Sequence, residues 1–167
     1  MTYAWQPACS IELIRLRARV LHEIRLFFYA ENVLEVETPV LCHAIGTDPF
    51  LDFFSTAELT GKQPSLYLQT SPEFAMKRLL AAQTGSIYQI TKAFRKGELG
   101  RLHNPEFSML EWYRVGYDLR QLMDDAELLL GRLLPEEDFS EPATRLCYAN
   151  VFQQYTGLNA LPFDLEC

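Results

Sequence analysis

Two strand-like segments joined by a short loop constrain this chain more than any other feature. Residues 86–90 have the composition of a strand that continues towards Arg95, and residues 106–115 form a longer, aromatic-rich alternating run. Residues 96–103 between them are polar and contain two glycines, which is typical of a loop. A connection this short pairs two strands antiparallel, because parallel neighbours need a long crossover. The sequence therefore predicts an antiparallel hairpin.

Four segments predict helices, from apolar spacing, capping residues or both. The first carries an apolar stripe from Ile14 to Phe28. In the second we expect Ser71 to be the cap, Pro72 to lie in the first turn, and Glu73 to be favoured there by the helix dipole. The predicted helices run from the Ser10 cap to Asn32, from the Ser71 cap to Leu80, from the Asp118 cap to Pro135, and over residues 150–155 up to Gly157.

Shorter strands are predicted at three places. They are residues 33–38, which Pro39 ends, residues 50–54, and residues 66–68, which follow a polar turn at 60–64. Helices and strands follow each other without the regular alternation of a doubly wound sheet, so the expected fold class is α+β. The length of 167 residues fits one domain, and 49% apolar residues suffice for a core.

The charge balance narrows the possible partners. Acidic residues outnumber basic ones, 22 to 15, which gives a net charge of -7 and a pI near 5.0. This balance disfavours a broad basic surface for nucleic acid but leaves room for a small anion site. The sequence contains neither G-x-x-x-x-G-K-[ST] nor G-x-G-x-x-G, so the common phosphate-binding loops are absent.

The cysteines and the first residues indicate a compartment. Cysteines at positions 9, 42, 147 and 167 form no C-x-x-C pair, so we expect a reduced environment and no metal ligands. The amino terminus lacks the pattern of a signal peptide, and no apolar run approaches the ~20 residues of a membrane span. The expected location is the cytoplasm, without a membrane partner.

The second strand of the hairpin divides its side chains between two faces. One face is predicted to carry Phe107, Met109, Glu111, Tyr113 and Val115, and the other Glu106, Ser108, Leu110, Trp112 and Arg114. The first face places a ring, a carboxylate and a phenol in a line of about 20 Å at ~3.3 Å per residue. Such a line suits a ligand with a flat base at one end and an ammonium group at the other. Arg95, on the neighbouring strand, has the forked guanidinium that grips phosphate oxygens.

A simpler interpretation of the same pattern is a half-buried hairpin with a solvated loop tip, and periodicity alone favours it slightly. The carboxylate of Glu111 counts against it, because a buried carboxylate needs a partner. Taken singly, Glu73 is an ordinary acid in the first turn of a helix, and His103 is an exposed loop histidine.

Three segments resemble the class II aminoacyl-tRNA synthetases of the lysyl type. FR at residues 94–95, HNPEF at 103–107 and MLEWY at 109–113 are similar to their motif 2. The first helix with VLEVETP at 33–39 is similar to motif 1, and LQTSPE at 68–73 to their amino-acid-binding segment. The resemblance covers about residues 10–157 and implies the class II architecture, an antiparallel sheet flanked by helices.

The resemblance implies a role for each matching residue. Arg95 would hold the α-phosphate of ATP and stabilise the charge of adenylate formation, and Phe107 would stack on adenine. Glu73, Glu111 and Tyr113 would bind the ammonium groups of the amino acid. The full implied sets are, for ATP, Arg95, Lys96, Gly97, Glu98, His103, Asn104 and Phe107, and for the substrate, Ser71, Pro72, Glu73, Glu111 and Tyr113.

The sequence departs from the family pattern at two places. Motif 2 of the family reads Arg-x-Glu, whereas the acid here is Glu98, one residue later. We expect Gly97 to let the loop bend so that Glu98 reaches the adenine amino group. Motif 3, with its second ATP arginine, is absent, and we expect most ligands of Mg²⁺ to lie with it. We therefore expect residues 1–167 to be an amino-terminal part of the catalytic domain, poorly active alone.

Within the family, the resemblance is strongest to truncated paralogues that join β-lysine to a lysine side chain of elongation factor P. Motif 1 begins within about a dozen residues of Met1, so we expect no anticodon-binding OB-fold before it. The acidic charge also argues against tRNA as a partner.

The expected partners are therefore ATP, lysine or β-lysine, elongation factor P, and a second copy of the chain bound through the motif 1 helix. The apolar stripe of that helix equally fits ordinary core packing. Two alternatives to the ligase stay open: a lysyl-tRNA synthetase core that makes lysyl-tRNA, and a non-catalytic module for binding or dimerisation.

Overall fold

The computed structural model describes residues 5–56, 66–137, 139 and 141–160. In chain order the elements are α1 (Ile11–Ala30), β1 (Leu34–Glu35), β2 (Leu41–Cys42), β3 (Tyr67–Leu68), α2 (Glu73–Ala81), β4 (Ile87–Phe94), β5 (Glu106–Tyr113), α3 (Leu119–Leu133) and α4 (Tyr148–Thr156). The α+β class predicted from the sequence is confirmed.

Strands β4 and β5 form the predicted antiparallel hairpin, in a register that pairs Ile87 with Tyr113 and Phe94 with Glu106. Strand β1 pairs with the other edge of β4 in parallel, so the sheet order is β1-β4-β5. The sheet is therefore mixed: its long β4–β5 pair is antiparallel, as expected, and β1 adds a short parallel strand at the edge. The long connection from β1 to β4 contains α2, and it returns the chain in the same direction.

Helices α1 and α3 supply the core that covers one face of this sheet. The buried cluster consists of Ile24, Phe27, Phe28, Val33, Tyr88 and Leu129, with Val20, Ile90, Leu110, Trp112 and Leu133 packed against it. Phe28 is 0% exposed and stacks on Tyr88, with ring centroids 4.3 Å apart. The carboxyl-terminal half of the α1 stripe is thus core, while Leu13 and Ile14 near its start stay 56% and 43% exposed.

Most predicted helix ends are confirmed. The Ser10 side chain accepts a hydrogen bond from the Leu13 amide at 3.3 Å, and Asn32 adopts the left-handed conformation, φ 55°, that ends α1. Asp118 forms a capping box with Gln121 at the start of α3. These ends were predictable because each depends on residues within one turn of the boundary.

The predicted start of the second helix is one residue too early. Helix α2 begins at Glu73, and its cap position is Pro72, without a side-chain capping bond from Ser71. The Pro72 carbonyl accepts the first helical bond, from the Met76 amide at 2.9 Å. Pro72 itself occupies the cap position, and its side chain has no oxygen that could accept from the first helical amides.

Two strand predictions are also wrong. Only Leu34–Glu35 of residues 33–38 forms ladder pairs; beyond them Val36 still donates to the Tyr88 carbonyl at 2.9 Å, and the Thr38 side chain bonds to Gln89. Residues 50–54 are not a strand: Phe50 is 94% exposed, and only the following Ser55 bridges Tyr67. Strand β2 was not predicted, and the predicted turn at 60–64 lies outside the described residues.

Two sequence-based expectations concern the chain as a whole. Among the described residues, no helix is long and apolar enough to cross a membrane. Cys9, Cys42 and Cys147 are free thiols, and Cys167 lies outside the described residues.

Candidate active site on the second face of the sheet

The face of β4 and β5 that points away from α1 and α3 carries the predicted row of side chains. The register places Ala93 beside Phe107, Thr91 beside Met109, and Gln89 beside Glu111. Leu110 and Trp112, which alternate with this row, pack against the core. The predicted alternation is thus confirmed from residue 107 to residue 113.

Val115 does not belong to this row. Strand β5 ends at Tyr113, and Val115 is 63% exposed in the turn before Gly116, whose φ is 84°. The left-handed glycine reverses the chain there, so the strand alternation cannot continue.

Arg95 and Phe107 meet at the loop end of the hairpin. The guanidinium carbon of Arg95 lies 5.1 Å from the centroid of the Phe107 ring, a cation–π distance. The backbone amide of Arg95 donates to the Pro105 carbonyl at 2.9 Å, which closes the loop. Arg95 Nε is buried and has no hydrogen-bond partner within the described part of the chain. The site therefore holds an unused donor on a cation, beside an aromatic face.

The loop bend expected at Gly97 is present, with φ 84°. It turns the Glu98 carboxylate back towards Arg95, and Glu98 Oε1 lies 3.7 Å from Arg95 Nη1. Lys96 is exposed, and its backbone amide donates to the Asp52 carbonyl at 2.9 Å. In this structure Glu98 is thus a counter-ion of Arg95.

His103 and Asn104 lie in the same loop, and both are exposed. The backbones of His103 and Gly100 bond to each other, with amide-to-carbonyl distances of 3.0 and 3.4 Å. Across the described ranges neither the His103 nor the Asn104 side chain makes a hydrogen bond or ion pair. The structure does not bring them onto the Arg95–Phe107 pair, and their nucleotide contacts stay predictions.

The other end of the row is acidic. The Tyr113 hydroxyl donates to Glu111 Oε2 at 3.1 Å, and burial raises the pKa of Glu111, chiefly because it removes water from the carboxylate. The charge of Glu73, in the first turn of α2, raises that pKa further, while the Tyr113 hydrogen bond, Lys77 and Arg95 oppose the rise. The predicted residues Glu73, Glu111 and Tyr113 are therefore brought together.

Tyr113 responds to the same surroundings. Burial raises its pKa first, and the charge and hydrogen bond of Glu111 and the charge of Glu73 add to the rise. Lys77 Nζ pairs with Glu73 Oε1 at 2.5 Å, one helical turn away. Two carboxylates and one ammonium leave a net negative charge here, which suits a cationic ligand.

Ser71 and Pro72 lie beside this acidic end. Ser71 lines a small cavity of about 40 Å³ together with Gln69 and Thr70, and Pro72 is fully buried at the start of α2. Gln69 Oε1 is buried without a hydrogen-bond partner among the described residues. The segment predicted to bind the amino acid thus borders the acidic end.

Three polar residues near the row were missed in the sequence. Gln69 donates through Nε2 to Thr91 Oγ1 at 3.1 Å, and Gln89 accepts from Thr38 Oγ1 at 3.0 Å. Lys77 is the third. A glutamine at a buried strand position, as at 89, is the signal that could have been used, since buried strand positions are normally apolar.

The described residues contain no group of three or more His, Cys, Asp or Glu side chains that could hold a metal ion. The expected Mg²⁺ ligands are therefore not found in this part of the chain.

This fold and this row of side chains define a class of protein. The sequence profile of the tRNA synthetases class II (D, K and N) matches residues 7–163. The chain therefore belongs to the class II tRNA synthetase family, and the resemblance seen in its motifs is confirmed.

The similar relatives share one specific name within this family. The chain is 50% identical over 171 residues to an elongation factor P--(R)-beta-lysine ligase of Vibrio atlanticus, covering 99% of the chain and 51% of the relative. It is 50% identical to the protein of that name from Pseudoalteromonas translucida, covering 97% of the chain and 50% of the relative. The Vibrio cholerae protein of the same name is 49% identical over 97% of the chain and 50% of its own length. The chain thus spans about half the length of these relatives.

Proposed function

We propose that this chain supplies the ATP- and lysine-binding part of an ATP-dependent ligase. The ligase activates lysine or β-lysine as an adenylate and joins it to a lysine side chain of elongation factor P. The observation that carries the proposal is the single row on β5, with Arg95 on Phe107 at one end and Glu111 with Tyr113 at the other. The names of the similar relatives support the choice of substrate and acceptor.

The nucleotide is proposed to bind at the Arg95 end. The Phe107 ring offers a face for adenine, and base–aromatic stacking contributes about 1–3 kcal/mol. The guanidinium of Arg95 would pair with the α-phosphate. Its Nε, which has no hydrogen-bond partner among the described residues, would be a further donor to that phosphate. Glu98 would leave Arg95 for the adenine amino group as the phosphate takes its place.

The amino acid is proposed to bind at the acidic end. A lysine carries two ammonium groups and one carboxylate, and the Glu73 and Glu111 carboxylates with the Tyr113 hydroxyl can accept from both ammonium groups. The substrate carboxylate then points along the row towards Arg95. Lysine lies with its reacting oxygen beside the α-phosphate, which is the geometry that proximity catalysis requires.

In the first step, an oxygen of the substrate carboxylate attacks the α-phosphorus of ATP, the bond to the β-phosphate oxygen breaks, and pyrophosphate leaves. Arg95 stabilises the negative charge that develops on the α-phosphate oxygens. In the second step, a neutral amine of the acceptor lysine attacks the acyl carbon, AMP leaves with its electron pair, and an amide bond forms. Bound Mg²⁺ neutralises phosphate charge in such chemistry, but the described residues offer no ligand group for it.

Dimerisation through α1 is part of the proposal. Leu13, Ile14 and Leu16 are 56%, 43% and 46% exposed at the start of α1. Strand β1 forms one edge of the sheet, and it is unpaired on its outer side within the described residues. A second copy that packs on both would bury this apolar surface. The acidic chain and the protein acceptor fit a cytoplasmic reaction without tRNA or membrane.

The test is ligand binding followed by catalysis. We expect the chain to bind lysine and ATP in calorimetry, and to exchange pyrophosphate slowly, because it spans about half the length of its relatives. Restored adenylation, after the chain is joined to the carboxyl-terminal half of the Vibrio atlanticus relative, would support the ligase. Aminoacylation of tRNA by that fusion, without modification of elongation factor P, would contradict it.

One observation favours a second candidate, a non-catalytic binding module. Glu98 pairs with Arg95 instead of extending towards a base, and a glycine occupies the position where the family has its acid. Absence of ATP binding with retention of lysine binding would favour this candidate.

A further inference from the structure

A buried ion cluster lies directly behind the acidic end of the row. The Arg114 side chain, 5% exposed, donates to Glu31 Oε2 at 2.9 Å, and its Nε lies 3.3 Å from Asp125 Oδ2. Asp125 is itself 4% exposed and accepts from Trp112 Nε1 at 3.0 Å. We call Glu31, Trp112, Arg114 and Asp125 the rear cluster. It joins the end of β5 to the end of α1 and to the middle of α3.

A cluster of this kind needs a reason other than stability. Charges removed from water carry a desolvation cost that their attraction only partly offsets, and an apolar pair of similar volume is often as stable or more so. Burial does raise the pKa of Asp125, against the opposing effects of Arg114 and Trp112. What the hydrogen bonds of this cluster add over apolar packing is a fixed direction: Arg114 Nη2 donates to Glu31 Oε2 and, at 2.7 Å, to the Tyr117 hydroxyl. The Arg114 Nε meets Asp125 as an ion pair without hydrogen-bond geometry among the described residues.

The direction fixed here is that of the substrate end of β5. Trp112 on β5 and Arg114 directly after the strand both reach Asp125 behind the sheet, whereas Glu111 and Tyr113 bond to each other on the opposite face. Tyr113 is the last residue of β5 in register with β4, opposite Ile87, so the ladder does not hold the residues that follow. The Arg114 side chain holds the backbone at that point from behind.

We propose that Arg114, fixed by Asp125, is a positioning residue for the Glu111–Tyr113 pair. The inference rests on the proposed function for the identity of the ligand, a diamino acid. The rear cluster touches neither ligand. It keeps the Glu111 carboxylate and Tyr113 hydroxyl at their 3.1 Å distance and at their depth in the protein, so that they meet the ammonium group without rearrangement.

The experiment removes both buried charges together, and the only carboxylate that loses its partner is Glu31, which is 42% exposed and therefore stays hydrated. The double variant Arg114→Met with Asp125→Asn keeps the volume at both positions and an acceptor for Trp112 Nε1. The matched control is Arg132→Met with Glu23→Gln. That pair also joins α3 to α1, at 3.0 Å, but lies on the surface. Both doubles are compared with the unchanged chain by calorimetry with lysine and with ATP, by thermal unfolding, and by NMR titration of the Glu111 carboxyl carbon.

We expect the double variant to bind lysine at least fivefold more weakly, to bind ATP within twofold of the unchanged chain, and to unfold at a similar temperature. The pKa of Glu111 should move down towards its ordinary value, because the loosened strand end admits water. The control should change none of these. The single variant Arg114→Lys, which keeps the cation, should recover part of the lysine affinity.

The outcomes separate the two proposals. An unchanged pKa of Glu111 in a folded double variant overturns the positioning role, whether or not lysine binds. Equal losses of lysine and ATP binding also overturn it, since they indicate general damage. If the unchanged chain binds no lysine but the pKa of Glu111 falls in the double variant, positioning stands and the proposed substrate fails. Should the double variant not fold, Arg114→Lys and the same titration decide.

Discussion

The guanidinium carbon of Arg95, the residue that directly follows β4, lies 5.1 Å from the centroid of the Phe107 ring on β5, at the loop end of the hairpin. The Arg95 cation therefore already lies beside the Phe107 ring. The strand register holds Phe107, and a hydrogen bond from the Arg95 amide to the Pro105 carbonyl holds the Arg95 backbone. We therefore expect the two side chains to keep this separation at the proposed nucleotide end.

Removing Arg95 should weaken ATP binding strongly. A hydrogen bond to a charged group contributes about 1.5–3 kcal/mol, so Arg95→Ala should raise the Kd for ATP by about 10- to 100-fold. Calorimetry measures this change. The control is Arg101→Ala, an exposed arginine of the same loop, which should alter the Kd less than threefold. Equal effects of the two substitutions would show a general charge effect instead of a specific phosphate contact.

Removing the Phe107 ring should separate base binding from phosphate binding. Phe107→Ala should raise the Kd for ATP by about 5- to 100-fold, from the stacking energy of about 1–3 kcal/mol. It should leave the binding of inorganic triphosphate unchanged, since triphosphate has no base. Competition between the two ligands measures both values, and Phe107→Tyr, which keeps the ring, is the control. A parallel loss of triphosphate binding would argue that the ring only supports Arg95.

The ionised Glu111 carboxylate should lower the stability of the folded protein and strengthen lysine binding. Its pKa is raised in the folded protein, so the folded state holds this proton more tightly than the unfolded state. Stability from this group is then lost as pH rises from the ordinary value through the raised one. Glu111→Gln should therefore unfold at the same or a higher temperature at pH 7, yet bind lysine at least tenfold more weakly.

The pH dependence of lysine binding provides the second measurement for Glu111. In the unchanged chain, affinity should increase as pH rises through the raised pKa, because only the ionised carboxylate pairs with ammonium. Glu106→Gln, an exposed acid on the same strand, is the control and should retain both the affinity and its pH profile. Unaltered lysine binding in Glu111→Gln would remove this residue from the site.

Phe28 should be the most costly aromatic ring to remove. It is 0% exposed, stacks on Tyr88, and lies 5.8 Å from the Trp112 ring. Phe28→Ala should lower the free energy of unfolding by about 3–5 kcal/mol. Urea unfolding measures this loss. Phe50→Ala, at a ring that is 94% exposed, should change it by less than about 0.5 kcal/mol; comparable losses would contradict the described core.

Self-association should depend on the start of α1. Leu13→Glu places a charge among its exposed apolar residues and should convert a micromolar dimer into a monomer in sedimentation velocity. Leu128→Glu, at an exposed leucine of α3 (63% against 56% for Leu13), should leave the dimer intact. A monomer in the unchanged chain at these concentrations would contradict the proposed dimer.

Local patterns predicted the hairpin and the row on β5 well. Alternation from 107 to 113 and the caps at Ser10 and Asp118 depend on neighbours within a few residues, so the sequence carries them directly. The strand prediction at residues 50–54 was wrong, because aromatic residues favour strands only when a partner strand pairs with them. There only Ser55 finds such a partner.

Contacts distant in sequence could not be predicted. The parallel pairing of β1 with β4 joins residues about 50 positions apart, and Asp125 reaches Arg114 only because α3 packs behind the sheet. Asp125 is a charged residue that lies buried next to Leu129's face of that helix, and the sequence alone gives no reason to pair it with an arginine outside the helix. The row of side chains on β5 was therefore predictable from the sequence, whereas the rear cluster behind the sheet was not.

The two-faced character of β5 has a consequence for how this protein tolerates change. From 107 to 113 the odd positions face the side of the proposed ligand, whereas Leu110 and Trp112 pack against the core, so neighbouring residues are under different constraints. A saturation library over residues 106–114, scored separately for soluble yield and for ligand retention, should show a two-residue rhythm in each score, the one out of phase with the other.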